Sequence, residues 1–149
     1  VGNQMIETIC LHQKVDKKEA KRIAIELLTK VNIPSAETRI NNYPHQFSLG
    51  MCQRIMIALT LAMSPELLIA DEPTASLDVT IQAQILALLR ELNKNLNINI
   101  ITIDGITCSG KSVFSKLLKK KIGKIFKNVL VLPKDLFLFF SIITVCKIC

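Results

Sequence analysis

A chain of 149 residues is about one domain's worth of polypeptide, enough for a single core that hides roughly two thirds of the unfolded surface. Half of its residues are apolar and 21% are charged, which excludes a disordered chain; five Gly and five Pro exclude a linker or a collagen-like array. The net charge of +7 arises entirely beyond Ile100, where nine lysines face only Asp104 and Asp135, a shift that points to two origins or two tasks.

Val1–Cys10 has neither the basic start nor the sustained apolar run of a secretory signal. Asp16-Lys-Lys-Glu19 has capping-box spacing and opens a helix expected to run to about Lys30, with Ile23, Leu27, Leu28 and Val31 on one face. Pro34 and Ser35 end it. A turn-like stretch leads to Tyr43-Pro44-His45, and Ser48 is placed to cap a second helix from Met51 to about Met63, closed by Pro65. Leu67-Leu68-Ile69-Ala70 is a short apolar run ending in Asp71-Glu72-Pro73, the pattern of a parallel strand buried on both faces with acids at its carboxyl end. A helix from about Thr80 to Leu92, a strand from Ile98 to Asp104, a helix from Lys111 to about Ile122 and a strand from Val129 to Leu132 follow.

The tail Leu136–Cys146 is strongly apolar. As a helix it would reach only about 17 Å against a bilayer core of about 30 Å. It reads as a buried strand, or second as an exposed aggregating segment, and not as a membrane span. The five cysteines are scattered, and Cys146-Lys-Ile-Cys149 stands alone without a second pair. Such a set makes neither a disulfide framework nor a zinc site and points to a reducing cytosol.

The alternation of strands and helices from Leu67 onward makes two consecutive βαβ units, so strands 67–71 and 98–104 are expected side by side. Open parallel sheets bind ligands beyond the carboxyl ends of their strands. Two clusters sit at such ends. One of them, Gly105-Ile106-Thr107-Cys108-Ser109-Gly110-Lys111-Ser112, satisfies G-x-x-x-x-G-K-[ST] between a strand and a helix. Its glycines let the backbone curl so that amides face phosphate oxygens, and the helix amino terminus adds partial positive charge. Lys111 is spaced to reach the β/γ-phosphates of ATP and Ser112 to ligate Mg²⁺. A Gly-rich strand-to-helix turn is the alternative.

Ile101 to Leu118 resembles the opening of small P-loop nucleoside and nucleotide kinases, such as uridine, nicotinamide riboside and cytidylate kinases. Asn128-Val-Leu-Val-Leu-Pro-Lys-Asp135 is similar to their second strand, and the resemblance implies Asp135 as a general-base candidate, with a solvated turn acid as the alternative. It covers about forty residues and includes neither a lid nor an acceptor pocket. Lys116, Lys119, Lys120, Lys121, Lys124 and Lys127 form a basic cluster best read as a solvated helix face. No Trp and one Tyr leave little for stacking on nucleic acid, so none is expected as partner.

The second cluster, Leu67-Leu-Ile-Ala-Asp71-Glu72, has the form of a Walker B strand, whose Asp holds Mg²⁺ and whose Glu polarises an attacking water. It is preceded by Tyr43-Pro-His-Gln-Phe-Ser48-Leu-Gly50-Met-Cys-Gln53 and followed by Thr74-Ala-Ser-Leu-Asp78. In this order, residues 1 to about 101 resemble the ATP-binding subunits of ABC importers of the dipeptide, oligopeptide and glutathione group. The resemblance implies an α/β, partial P-loop NTPase fold with a small parallel sheet and a mainly helical N-terminal segment. It implies that Ser48, Gly50 and Gln53 belong to the signature that meets ATP on the opposite subunit. It also implies Asp71 as the magnesium acid, Glu72 as the catalytic base and Asp78 in the loop coupling the two sites of the dimer.

The chain departs from that pattern at Leu49, where the family has Gly, at Cys52, where it has a basic or polar residue, and at Ile103, where it places its switch histidine. The family's own Walker A and Q-loop would lie before Val1. The expected divisions are 1–66, helical and signature part; 67–101, Walker B strand with the following helix and strand; 102–135, kinase-like segment; and 136–149, apolar tail. Three functions stay open: an ATP-hydrolysing subunit of an ABC peptide importer truncated at its start, a nucleoside-kinase-like nucleotide-binding module, and a non-catalytic fused fragment. Under the first, the implied partners are a second ATP-binding subunit and membrane permease subunits, at the cytoplasmic face of the plasma membrane. The transported solute is then chosen elsewhere.

Overall fold

Asp16 caps its helix as its spacing predicts: the Glu19 amide donates to Asp16 Oδ1 at 2.7 Å. In the computed structural model, which describes residues 1–74, 77–96, 98–103, 110–126 and 128–132, the chain divides into two units at Ser64/Pro65. The first is helical: α1 (Gly2–Gln13), α2 (Lys17–Lys30), the short α3 (Ala36–Arg39), a 3-10 turn at Pro44–Gln46 and α4 (Leu49–Ala62). Helix α1 has no counterpart among the elements expected from the sequence. It packs on α2 and α4 through Met5 and Ile9, both fully buried. Its start demands glycine, since a Cβ on Gly2 would lie 2.7 Å from the Ile40 carbonyl oxygen that the Gly2 amide bonds.

Helix α4 is buried on every side from Ile55 to Ala62, as a helix apolar all round must be. Two polar side chains tie it to its neighbours: Gln13 Nε2 donates to the Ala62 carbonyl at 2.9 Å, and Arg54 donates to the Val31 carbonyl at 3.1 Å. Removing the cap of α2 in the variant Asp16→Ala is expected to cost about 1 kcal/mol, read as a lower denaturation midpoint with the slope unchanged.

The second unit carries β1 (Leu67–Asp71), α5 (Val79–Leu96), β2 (Asn99–Ile103), α6 (Lys111–Ile122) and β3 (Val129–Leu132). The three strands form a parallel sheet in the order β2-β1-β3, with Ile69 opposite Ile101 on one side and Val131 on the other. The expected adjacency of β1 and β2 is met. The second crossover passes back over β1 and sets β3 on its far side. All five residues of β1 are buried, because both edges are paired and both faces covered. Leu67, Ile69 and Val129 pack beneath Leu118, Ile122 and Phe126, at and just beyond α6. On the opposite face, Leu86, Leu89, Arg90 and Asn93 of α5 line a shallow hollow with Ile100 and Thr102 of β2. Helices therefore flank the sheet on both sides, and the strand ends carrying the acids lie where α6 begins.

Candidate functional site

Helix α6 starts from Gly110, whose φ of 80° is a left-handed conformation that a side chain would strain; the Val113 and Phe114 amides bond its carbonyl. Lys111 follows. Its side chain is only 9% exposed, and its ammonium lies 2.5 Å from Glu72 Oε1, itself 13% exposed. Glu72 adopts φ 49°, rare for a residue with a Cβ, and its amide donates to the Ile103 carbonyl at 2.9 Å, joining the ends of β1 and β2. Backbone strain of this kind persists where surroundings over-determine it, most often at functional positions.

Asp71, the last residue of β1, is 4% exposed. Its Oδ2 accepts from Ser115 Oγ at 3.3 Å, while its Oδ1 is buried without a hydrogen-bond partner among the described residues. Ser112 is exposed on the first turn of α6, and its carbonyl accepts from Ser115 Oγ at 3.1 Å. Of the predicted phosphate loop, Gly110, Lys111 and Ser112 are thus placed, at the carboxyl end of the sheet beside both acids. Gly105, Ile106, Thr107, Cys108 and Ser109 lie outside the described residues, as do Asp135, the apolar tail and Cys146–Cys149. Lys116, Lys119, Lys120 and Lys121 on α6, and Lys124 just beyond it, are exposed, as expected of a solvated face.

The orphaned buried oxygen of Asp71 and the Ser112 hydroxyl at the start of α6 are hard-oxygen donors, suited to a cation such as Mg²⁺ that keeps waters and takes few protein ligands. Among the described residues no group of three or more His, Cys, Asp or Glu could hold a metal by itself. Nor is any described helix long and apolar enough to cross a membrane.

The signature residues lie in the helical unit. Ser48 caps α4, accepting the Met51 amide at 3.4 Å; Gly50 and Gln53 are buried, and Leu49 is 46% exposed at the helix start. Cys52 lies with Sγ 3.5 Å from the Pro44 carbonyl, and burial pushes its thiol up from the ordinary value. Asp78 caps α5 by accepting the Ile81 amide at 3.0 Å.

Two residues escaped the sequence analysis. Ser115 could have been found from helical period, four residues after Lys111 on the same face. Gln82 donates to the Thr74 and Leu77 carbonyls at 3.3 and 3.0 Å and so ties these two residues to α5. No motif singles it out.

Residues 3–75 match the sequence model of the ABC transporter family. Over 103 residues, 69% of this chain, it is 54% identical to the oligopeptide transport ATP-binding protein OppD of Bacillus subtilis and 50% identical to OppD of Escherichia coli. It is 51% identical over 104 residues to the dipeptide transport ATP-binding protein DppD of Lactococcus lactis. These alignments span 29%, 31% and 30% of those proteins. Among solved structures, the chain is similar in fold to the dimeric bacterial ABC transporter cassette MJ0796, with a TM-score of 0.51 and 24% identity over 79% of this chain and 44% of that one. A post-hydrolysis state of the same cassette bound to ADP and Pi gives the same figures. The chain shares in part the fold of such a cassette, an α/β fold with a small parallel sheet, as the motifs led us to expect.

Proposed function

We propose that this chain is part of the ATP-binding subunit of an ABC-type peptide importer, and that its second unit binds ATP at the start of α6. The identity of 50–54% to the OppD and DppD proteins over the 103–104 aligned residues supports the first statement. The observation that carries the second is the convergence of Lys111, Asp71 and Glu72 at one end of the sheet. In this role Lys111 leaves Glu72 to meet the terminal phosphate oxygens, and the amides of the first turn of α6 face the same anion. Asp71 Oδ1 and Ser112 Oγ would hold Mg²⁺, which supplies charge neutralisation on the phosphates. Glu72, once released, is the base that orients water.

In the helical unit, Ser48, Gly50 and Gln53 would meet ATP held by a second ATP-binding subunit, and Asp78 would couple the two sites. Leu49 puts a side chain where the family's glycine admits close backbone approach, which weakens that contact. Membrane permease subunits complete the assembly and place the chain peripherally at the cytoplasmic face. A second reading, phosphoryl transfer to a nucleoside with Asp135 as base, is favoured by the phosphate-loop motif leading directly into α6.

Equilibrium titration of the chain with a fluorescent ATP analogue and Mg²⁺ is expected to saturate with Kd below about 1 mM. Absence of saturable binding in that range overturns the nucleotide site. Copurification with a permease supports the importer role; phosphorylation of a nucleoside supports the alternative.

A further inference from the structure

We propose that Ser115 is a positioning residue that turns the Asp71 carboxylate so that one oxygen is presented to a divalent cation; the proposal rests on the nucleotide-binding role above. Ser115 is no part of the phosphate-loop motif. It is 1% exposed, and its hydroxyl sits between Asp71 Oδ2 at 3.3 Å and the Ser112 carbonyl at 3.1 Å. A serine hydroxyl has one proton to give. The Ser112 carbonyl is the helix-internal acceptor that any mid-helix serine finds. Asp71 is reached only because β1 ends against this face of α6.

The state of Asp71 tells what the contact accomplishes. A carboxylate that is 4% exposed normally gathers several donors or a counter-charge. Here Lys111 pairs with Glu72, and among the described residues Oδ1 has no hydrogen-bond partner. A single neutral hydroxyl on Oδ2 does not compensate the charge, but it fixes rotation of the carboxylate and reserves Oδ1 for another ligand. Helix α6 thus brings three groups to one place: Lys111 for phosphate, Ser112 as a metal ligand, and Ser115 to hold the acid that is the other ligand. Outer hydrogen bonds to metal-binding carboxylates act in this manner, and their loss typically weakens metal affinity about 10–100-fold.

The test uses the full chain, Mn²⁺ as the probe and electron paramagnetic resonance to count free Mn²⁺, with ADP saturating. Ser115→Ala and the near-isosteric Ser115→Cys, a weak donor, are expected to bind Mn²⁺ about 10–100-fold more weakly than the parent. Their affinity for ADP in the presence of EDTA stays within about twofold of the parent, which shows an intact fold. Ser115→Thr, which keeps the hydroxyl, restores Mn²⁺ binding. Parent-like Mn²⁺ affinity in the Ala and Cys variants overturns the proposal, as does a Thr variant as weak as Ala, because packing would then be the cause. A parent chain that binds no ADP overturns the nucleotide site itself, an outcome separate from either.

Discussion

Lys111→Met is expected to lower ATP affinity about 100-fold, close to 2.7 kcal/mol, and also to destabilise the nucleotide-free protein. The first effect follows from removing the buried cation at the start of α6. The second follows from Glu72, which is 13% exposed and would keep its charge after losing its ion pair with Lys111. Removing one member of a buried pair costs about 3–5 kcal/mol, and the residual exposure of Glu72 puts this case near the lower end. Glu72→Gln destabilises for the mirror reason, since it takes the paired carboxylate away from a nearly buried ammonium. The double variant Lys111→Met/Glu72→Gln carries neither charge and is expected to regain most of the loss, a coupling that thermal or urea unfolding of all four proteins measures directly. ATP affinity does not return in the double variant. A double variant no more stable than either single one means that the pair is not a unit. Undiminished ATP affinity in Lys111→Met means that α6 does not hold the phosphates.

The pair also constrains how a nucleotide enters. The lysine that would meet phosphate and the glutamate that would activate water hold each other, so each is occupied until an anion competes for Lys111. Binding then separates them, and the free energy of separation is subtracted from the intrinsic affinity. Glu72 is held at φ 49° and tied by its amide to the end of β2, so its backbone stays in place while its side chain changes partner.

What could be read in advance depended on the range of the interaction. The caps at Asp16 and Ser48 are contacts between a side chain and an amide three residues on, and they were legible, as was β1 from its unbroken apolar run. Helix α1 was not: its first turn has no acid and it ends at Lys14 in a left-handed conformation, where glycine would have been the signal. A strand at Val129–Leu132 followed from its residues, but its place beyond β1 did not, because periodicity says that a strand exists and not which edge it joins. Asp71, Glu72 and Lys111 were each visible from motifs. The pairing of Lys111 with Glu72, and the contact of Ser115 with Asp71 across 44 residues, come from the way α6 meets the end of β1.

Ile69→Ala should show how far the site depends on that sheet. Ile69 is fully buried in the central strand, paired on both sides, and packed under Leu118, Ile122 and Phe126. Truncation removes three carbons from a position that neighbours on two strands and one helix cannot jointly collapse to fill, so a loss of about 3–4 kcal/mol is expected, against about 1 kcal/mol for Ile69→Val. Such a loss is a large share of the stability of an ordinary domain. The cavity opens beneath α6, whose first turn carries Lys111 and Ser112 and whose second carries Ser115. Nucleotide affinity is therefore expected to fall in Ile69→Ala although Ile69 reaches none of these groups. Amide exchange in α6 should accelerate with it, since a helix held by one apolar face opens when that face loses its support. A cost below about 1 kcal/mol for the alanine variant would mean that α6 does not rest on β1, and the route by which Ser115 reaches Asp71 would go with it.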